Sequence, residues 1–231
     1  TPANLTLKAG PVASTGGQFN NQSFVFGIPE DITVSVVDGI ASFDRIEVFE
    51  GSYLSQTYVY STRNTFQKFI LPNVGIDLDS LVVSVRPSVD SSVSAKYTRQ
   101  DELFDTVTKS TITGDSNIYF IQEVESEQYE VIFGDGVFGK ALEDGNVVEM
   151  TYIVTNGSDG NGISNFTFSG SLSYVRNSVE IFVTSGISLV SSLLPSSGGE
   201  SIESVDSIRK YAPQVYTCLL YTSDAADDVY C

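Results

Sequence analysis

Histidine and tryptophan are absent from the 231 residues, and the only cysteines, Cys218 and Cys231, fall near the end. Without histidine there is no imidazole base and no histidine metal ligand, so a Ser-His-Asp triad is excluded within this chain. With no cysteine before position 218, disulfides do not staple the body, which fits a cytoplasmically made protein held by its core. No apolar run approaches the ~20 residues of a membrane-spanning helix. Bases are scarce: 12 Lys and Arg stand against 29 Asp and Glu, a net charge of −17. Such a surface repels phosphates and anionic lipid, so neither nucleic acid nor membrane is an expected partner. The chain opens Thr1-Pro2, without Met or a basic-then-apolar leader, and reads as an internal piece of something longer.

The acids are unevenly spread. Residues 101–150 hold twelve acids and two bases, Lys109 and Lys140, whereas residues 51–100 hold three acids and five bases. Charge of this kind keeps a protein soluble, and it also steers association with a basic partner. Glu123, Glu125, Glu127 and Glu130 are the candidate interface residues. Acid pairs two apart, such as Glu123/Glu125 and Asp77/Asp79, would be same-face neighbours on a strand. Like charges on a wet sheet face account for them without any acid–base chemistry.

What is abundant is strand signal. Runs rich in Val, Ile, Phe, Tyr and Thr alternate with Gly, Asn, Asp, Ser and Pro clusters. Strands are expected at 23–26, 31–37, 45–50, 56–61, 67–71, 80–86, 117–124, 128–133, 147–154, 166–173, 178–184 and 187–192. In the run 147–154, Val148, Met150, Tyr152 and Val154 share one face, while Glu149 and Thr151 take the other, a half-buried strand. Tyr129, Val131 and Phe133 alternate likewise. The expected fold is mainly β: two antiparallel, sandwich-like units with a short helix near the C-terminal end. The first unit spans 1–95 and the second 115–195, joined by a connector at 96–114 with a helical turn over 101–107. A linker at Leu194–Gly199 leads to a helix capped by Ser201, within 196–217. From Cys218 the composition changes, and 218–231 resembles translated adaptor read-through; it is expected to be a non-native tail.

The most informative stretch runs from Tyr129 through Phe133-Gly-Asp-Gly-Val-Phe-Gly-Lys140 to Asp144-Gly145 and on to Asn156-Gly157, Gly160 and Gly162. Asp-Gly between apolar runs favours tight turns, because glycine accepts positive φ without steric cost. Gly134, Asp135, Gly136, Gly139, Asp144, Gly145, Asn156, Gly157, Gly160 and Gly162 are therefore expected turn residues of short hairpins. A phosphate loop needs Lys followed by Ser or Thr and then a helix, but Ala141 follows Lys140. A calcium loop needs a bidentate Glu at its twelfth position, which counting from Asn156 is Thr167. No catalytic, cofactor-binding or metal-binding residue is assigned, and no cofactor or small-molecule substrate is expected.

That stretch also resembles the signature of the baseplate J-like family, the wedge proteins of contractile phage tails and related injection machines. Two further blocks share the resemblance: Phe69-Ile-Leu-Pro-Asn73 through Ile76-Asp77 to Leu81–Val85, and Gly198-Gly-Glu-Ser-Ile-Glu203 through Ile208-Arg209 to Ala212-Pro213. Within the family the chain looks most similar to the wedge subunits of T-even-like phages. The resemblance implies a structural role in the virion, assembled in the bacterial cytoplasm. Copies would pair with each other and with neighbouring wedge proteins around the tail hub. It gives no enzyme activity, and the first 65 residues carry no matching segment. The rival reading is a secreted β-sandwich adhesin or carbohydrate-binding module, which would be expected to carry aromatic platforms and calcium or disulfide support.

Overall fold

A computed structural model describes residues 2–15, 17–100, 112–124, 128–189 and 194–200. The expected helix behind Ser201, the turn over 101–107, the tail from Cys218, and Glu125 and Glu127 lie outside the described residues. The fold is mainly β, built almost wholly of antiparallel pairs. The one helical element among the described residues is a single 3-10 turn, Gly157–Gly160.

Seven strands form a nearly closed barrel-like sheet. In spatial order they are β6 (Ser52–Val59), β12 (Val147–Val154), β8 (Ile76–Arg86), β9 (Ala95–Arg99), β10 (Ile118–Val124), β11 (Gln128–Phe133) and β7 (Phe69–Leu71). Only β9 and β10 run parallel. Alternate residues point inward, so Val83, Val131, Val148 and Met150 meet in one core with Phe69 and Tyr97. Phe133 stands edge-on to Phe69 and Tyr97, with centroids 5.2 and 5.5 Å away. The end strands β6 and β7 are joined across the seam by side chains. Tyr58 Oη donates to the Ile70 carbonyl (2.7 Å), and Gln67 Nε2 donates to the Val59 carbonyl (2.8 Å).

Two four-stranded sheets accompany the barrel. One orders β15 (Val179–Val183), β14 (Leu172–Arg176), β1 (Asn4–Leu7) and β4 (Ile32–Ser35). The other orders β13 (Phe166–Phe168), β2 (Gly10–Thr15), β3 (Val25–Ile28) and β5 (Phe49–Glu50). Leu7 and Leu172 from the first meet Val12 and Ile28 from the second, which is sandwich packing. Lys96 on β9 pairs with Glu30 beside β3, and Thr151 on β12 donates to the Pro29 carbonyl (3.2 Å), tying the barrel to the sandwich.

The expected boundary at 96–114 does not separate sheets. All three sheets combine strands from 1–95 with strands from 115–195: β12 lies between β6 and β8, β14 beside β1, and β13 beside β2. Alternation tells which face a strand buries, not which strand lies beside it, so chain order was a poor guide to pairing. Strands β1, β2 and β9 occur where the sequence pattern suggested none, and the expected strand 166–173 is interrupted at Ser169-Gly-Ser171. Residues 187–189 of the expected strand 187–192 are not in a strand, and 190–192 lie outside the described residues. In β12, Val148, Met150 and Tyr152 are buried as the alternation required, but so are Val147 and Ile153. Ile153, on the same face as Glu149 and Thr151, lies against Gly27 of the sandwich, so that face is not simply wet.

Candidate functional site

The Phe-Gly-Asp-Gly segment does not close a hairpin. It leaves β11, whose neighbours are β10 and β7, and delivers the chain to β12, whose neighbours are β6 and β8. It is thus a crossover at one end of the barrel. Three other connections share that end: 60–68 between β6 and β7, 87–94 between β8 and β9, and 112–117 leading into β10. Hydrogen bonds join all four. Asp144 accepts from the Thr62 amide (2.8 Å) and hydroxyl (3.2 Å), and Asn146 Nδ2 donates to the Pro87 carbonyl (3.2 Å). The Gly139 and Lys140 amides donate to the Thr113 and Ser116 carbonyls (3.0 and 2.8 Å).

Within the crossover, residues 134–139 are cinched on themselves. The Asp135 carboxylate accepts from the Val137 and Phe138 amides (2.8 and 2.9 Å), and the Gly136 amide donates to the Gly139 carbonyl (2.9 Å). The Phe138 amide first, then that of Val137, holds the Asp135 carboxyl below the ordinary carboxylate range. Asp144 is held down likewise, first by the Thr62 amide and then by its hydroxyl. Gly139 has φ +84 and packs on Ile118, whereas Gly134 has no positive φ and is required by contact: a Cβ there would lie 2.2 Å from the Gly139 carbonyl carbon. Gly136, Gly145, Gly157 and Gly162 all have positive φ, as turn residues should. Gly160 has none; its α-carbon lies against the Glu50 side chain.

Asn156 begins the loop at the opposite end of the barrel. Glu50 accepts from the Asn156 amide (2.9 Å), from Asn156 Nδ2 (2.7 Å) and from the Thr155 hydroxyl (3.1 Å). The expected linker also docks here. Ser196 Oγ donates to the Gly160 carbonyl (2.5 Å) and accepts the Ile163 amide (2.9 Å), and its backbone exchanges two further bonds with Gly162 and Ile163. Asn161 bonds the Gly199 carbonyl and amide together (2.7 and 3.0 Å). In the loop counted from Asn156, the Asn161 side chain and the backbones of Gly160 and Gly162 thus clasp residues 196–199.

The acids of 101–150 do not share one face among the described residues. Glu123 is registered opposite Tyr129 and Glu130 opposite Gln122, which puts the two glutamates on opposite faces of the β10–β11 pair. Glu130 pairs with Lys68 (2.9 Å) and its side chain is only 15% exposed. Asp115, Asp135, Glu143 and Asp144 sit instead in the connections at the crossover end, whereas Glu123 lies toward the far end of β10.

What sequence reasoning missed is apolar. Val59, Phe66, Val89, Val93, Val137 and Phe138 are all at least half exposed and belong to the strand end and connections at the crossover end. No periodicity marks them, because they come from separate loops and converge only through the topology. A cleft of about 380 Å³ opens beside them, lined by Tyr60, Gln67, Phe69, Ile132, Gly134 and Leu142 among others. No family model and no curated protein matches the chain.

Proposed function

We propose that this chain belongs to a wedge subunit of a contractile phage tail baseplate and acts by protein–protein contact, without catalysis. It would pair with itself and with neighbouring wedge proteins, in the virion's tail baseplate after assembly in the bacterial cytoplasm. The observation that carries the proposal is the build of the segment bearing the resemblance. Residues 134–139 are cinched by Asp135 and pinned to 113–116, so that Val137 and Phe138 stand 65% and 51% exposed on a fixed support. Phe66 (88%), Val89 (65%) and Val93 (71%) extend the apolar surface around the same end. Exposed apolar side chains gathered at one end of a rigid frame favour association with another protein.

The test is co-purification of the full-length subunit with its wedge partners, comparing wild type with a Val137→Ser/Phe138→Ser variant and with Glu123→Lys. Loss of partner recovery in the double variant, with the melting temperature unchanged, is the expected outcome. A wild-type protein that recovers none of the wedge partners overturns the assembly role. Full recovery by the double variant removes this end of the barrel from the contact, and loss by Glu123→Lys moves it to the far end.

A further inference from the structure

Every open sheet invites another strand at its edge, and proteins guard such edges with short strands, prolines, charges or bulges. Here β5 and β13 are guarded by being two and three residues long, and β4 alternates polar Thr33 and Ser35 along its length. The barrel's end strands β6 and β7 face each other across the side-chain seam. Strand β15 is different. Its five residues, Val179-Glu-Ile-Phe-Val183, pair with β14 on one side and with no strand on the other among the described residues. It has no proline, glycine or lysine, and its single charge, Glu180, already faces Lys8 (3.7 Å) and the Ser173 hydroxyl (2.7 Å). Val179 and Phe182 are 60% and 56% exposed on opposite faces of β15, and Val175 on β14, which shares the Phe182 face, is 72% exposed.

We infer that β15 pairs, antiparallel, with β15 of a second copy of this chain. Identical strands related by a two-fold axis meet antiparallel. Centred on Ile181, the pairing sets Val179 opposite the copy's Val183 and Ile181 opposite Ile181, an all-apolar ladder on the face that carries the core residues Leu172 and Val183. On the outer face each Glu180 falls opposite Phe182 of the copy, and the two phenylalanines become diagonal neighbours flanked by Val175. Centring on Glu180 instead would oppose two carboxylates, which is destabilising. Charge therefore disfavours the Glu180-centred register, the Ile181-centred one pairs all five residues of the strand, and the two four-stranded sheets become one continuous sheet. A five-residue edge buries far less than the ~800 Å² per partner of a standard interface, so the contact belongs to the weak class that forms in solution at high protein concentration.

This inference deepens the self-pairing part of the proposed assembly role, and its test uses the protein alone so that the two can fail separately. Sedimentation of the full chain over a concentration series, at low and high salt, reads the association. Each copy carries −17, so screening should strengthen the dimer, opposite to a contact steered by opposite charges. Val179→Lys and Phe182→Lys, made separately, should each weaken it at least about tenfold while leaving the melting temperature unchanged. In the wild-type dimer the amides of 179–183 should exchange more slowly. A monomer at every concentration, an association that salt weakens, or one that both lysine variants retain would overturn the inference. Should a lysine variant unfold, exchange in the wild type decides: unprotected 179–183 amides in the associated protein overturn it equally.

Discussion

Replacing Gly134, Gly139 and Gly145 one at a time by alanine separates two reasons for glycine in the crossover. Gly145 has φ +86, but an added Cβ meets nothing within 4 Å. Its replacement costs only the left-handed backbone penalty, about 1 kcal/mol. Gly139 has a similar φ of +84, and its Cβ would also lie 2.6 Å from Ile118 Cγ1. Ile118 is 6% exposed at the start of β10 and has nowhere to turn. Overpacking of this kind adds ~1–3 kcal/mol, for a total of about 3 kcal/mol. Gly134 needs no special φ, yet its Cβ would sit 2.2 and 2.3 Å from the Gly139 carbonyl carbon and oxygen. Backbone cannot swing aside, so the loop must open and give up the Gly136–Gly139 hydrogen bond, at a cost also near ~3 kcal/mol. For a chain of this size each kcal/mol lowers the melting temperature by roughly 2–4 °C. Gly134→Ala and Gly139→Ala should therefore melt roughly 6–12 °C below the parent and Gly145→Ala only 2–4 °C below. Thermal and denaturant unfolding, with unchanged m-values, read the difference. If Gly134→Ala melts with Gly145→Ala, the close approach of the two loop backbones is wrong.

Ser80 is fully buried, donates to the Asp77 carbonyl (2.6 Å) and accepts the Ile153 amide at the register shift (2.9 Å). Ser80→Ala should cost ~1–3 kcal/mol by stranding that amide, and an unchanged denaturation midpoint would refute this. Tyr58→Phe keeps the ring against Phe69 but removes the seam bond to Ile70. The expected loss is ~0.5–1.5 kcal/mol with faster amide exchange in 69–71, and unaltered exchange would show that the seam is held otherwise. Asp135 has its carboxyl lowered by two amides in the fold, so its contribution is present above the ordinary Asp value and lost as pH falls through the lowered one. The melting gap between wild type and Asp135→Ala should thus be constant near neutrality and shrink below about pH 4; a gap that widens on acidification contradicts the assignment.

Strands carrying long runs of β-branched and aromatic residues were legible in the sequence, and β10, β11 and β12 begin and end within a residue or so of the pattern. The alternation of Tyr129, Val131 and Phe133 correctly named the inward face. Short polar strands such as Ala95–Arg99 were not legible, because they form by pairing with neighbours already in place and not from their own propensity. Gly136 and Gly145 of the two Asp-Gly pairs have positive φ, but local turn chemistry is the same whether the next strand lies beside the last or across a barrel. Hence the hairpin expectation became a crossover. The four glutamates at 123–130 looked like one patch because they are close in sequence. Yet Glu130 sits across from Gln122, one residue out of step with Glu123, and the antiparallel register sends the two to opposite faces. The exposed apolar end escaped notice for the converse reason: its members are distant in sequence.

The clasp at residues 196–199 also has a mechanical meaning. A pull on the chain beyond Glu200 enters the fold at Ser196 and Asn161, not at the β14–β15 hairpin that precedes them in sequence. From there Asn156 and Glu50 carry it to the junction of β5 and β6, where the sandwich meets the barrel. Tension arriving from that side is borne by several short hydrogen bonds that must break together, while the edge strand β15 stays unloaded and free to pair.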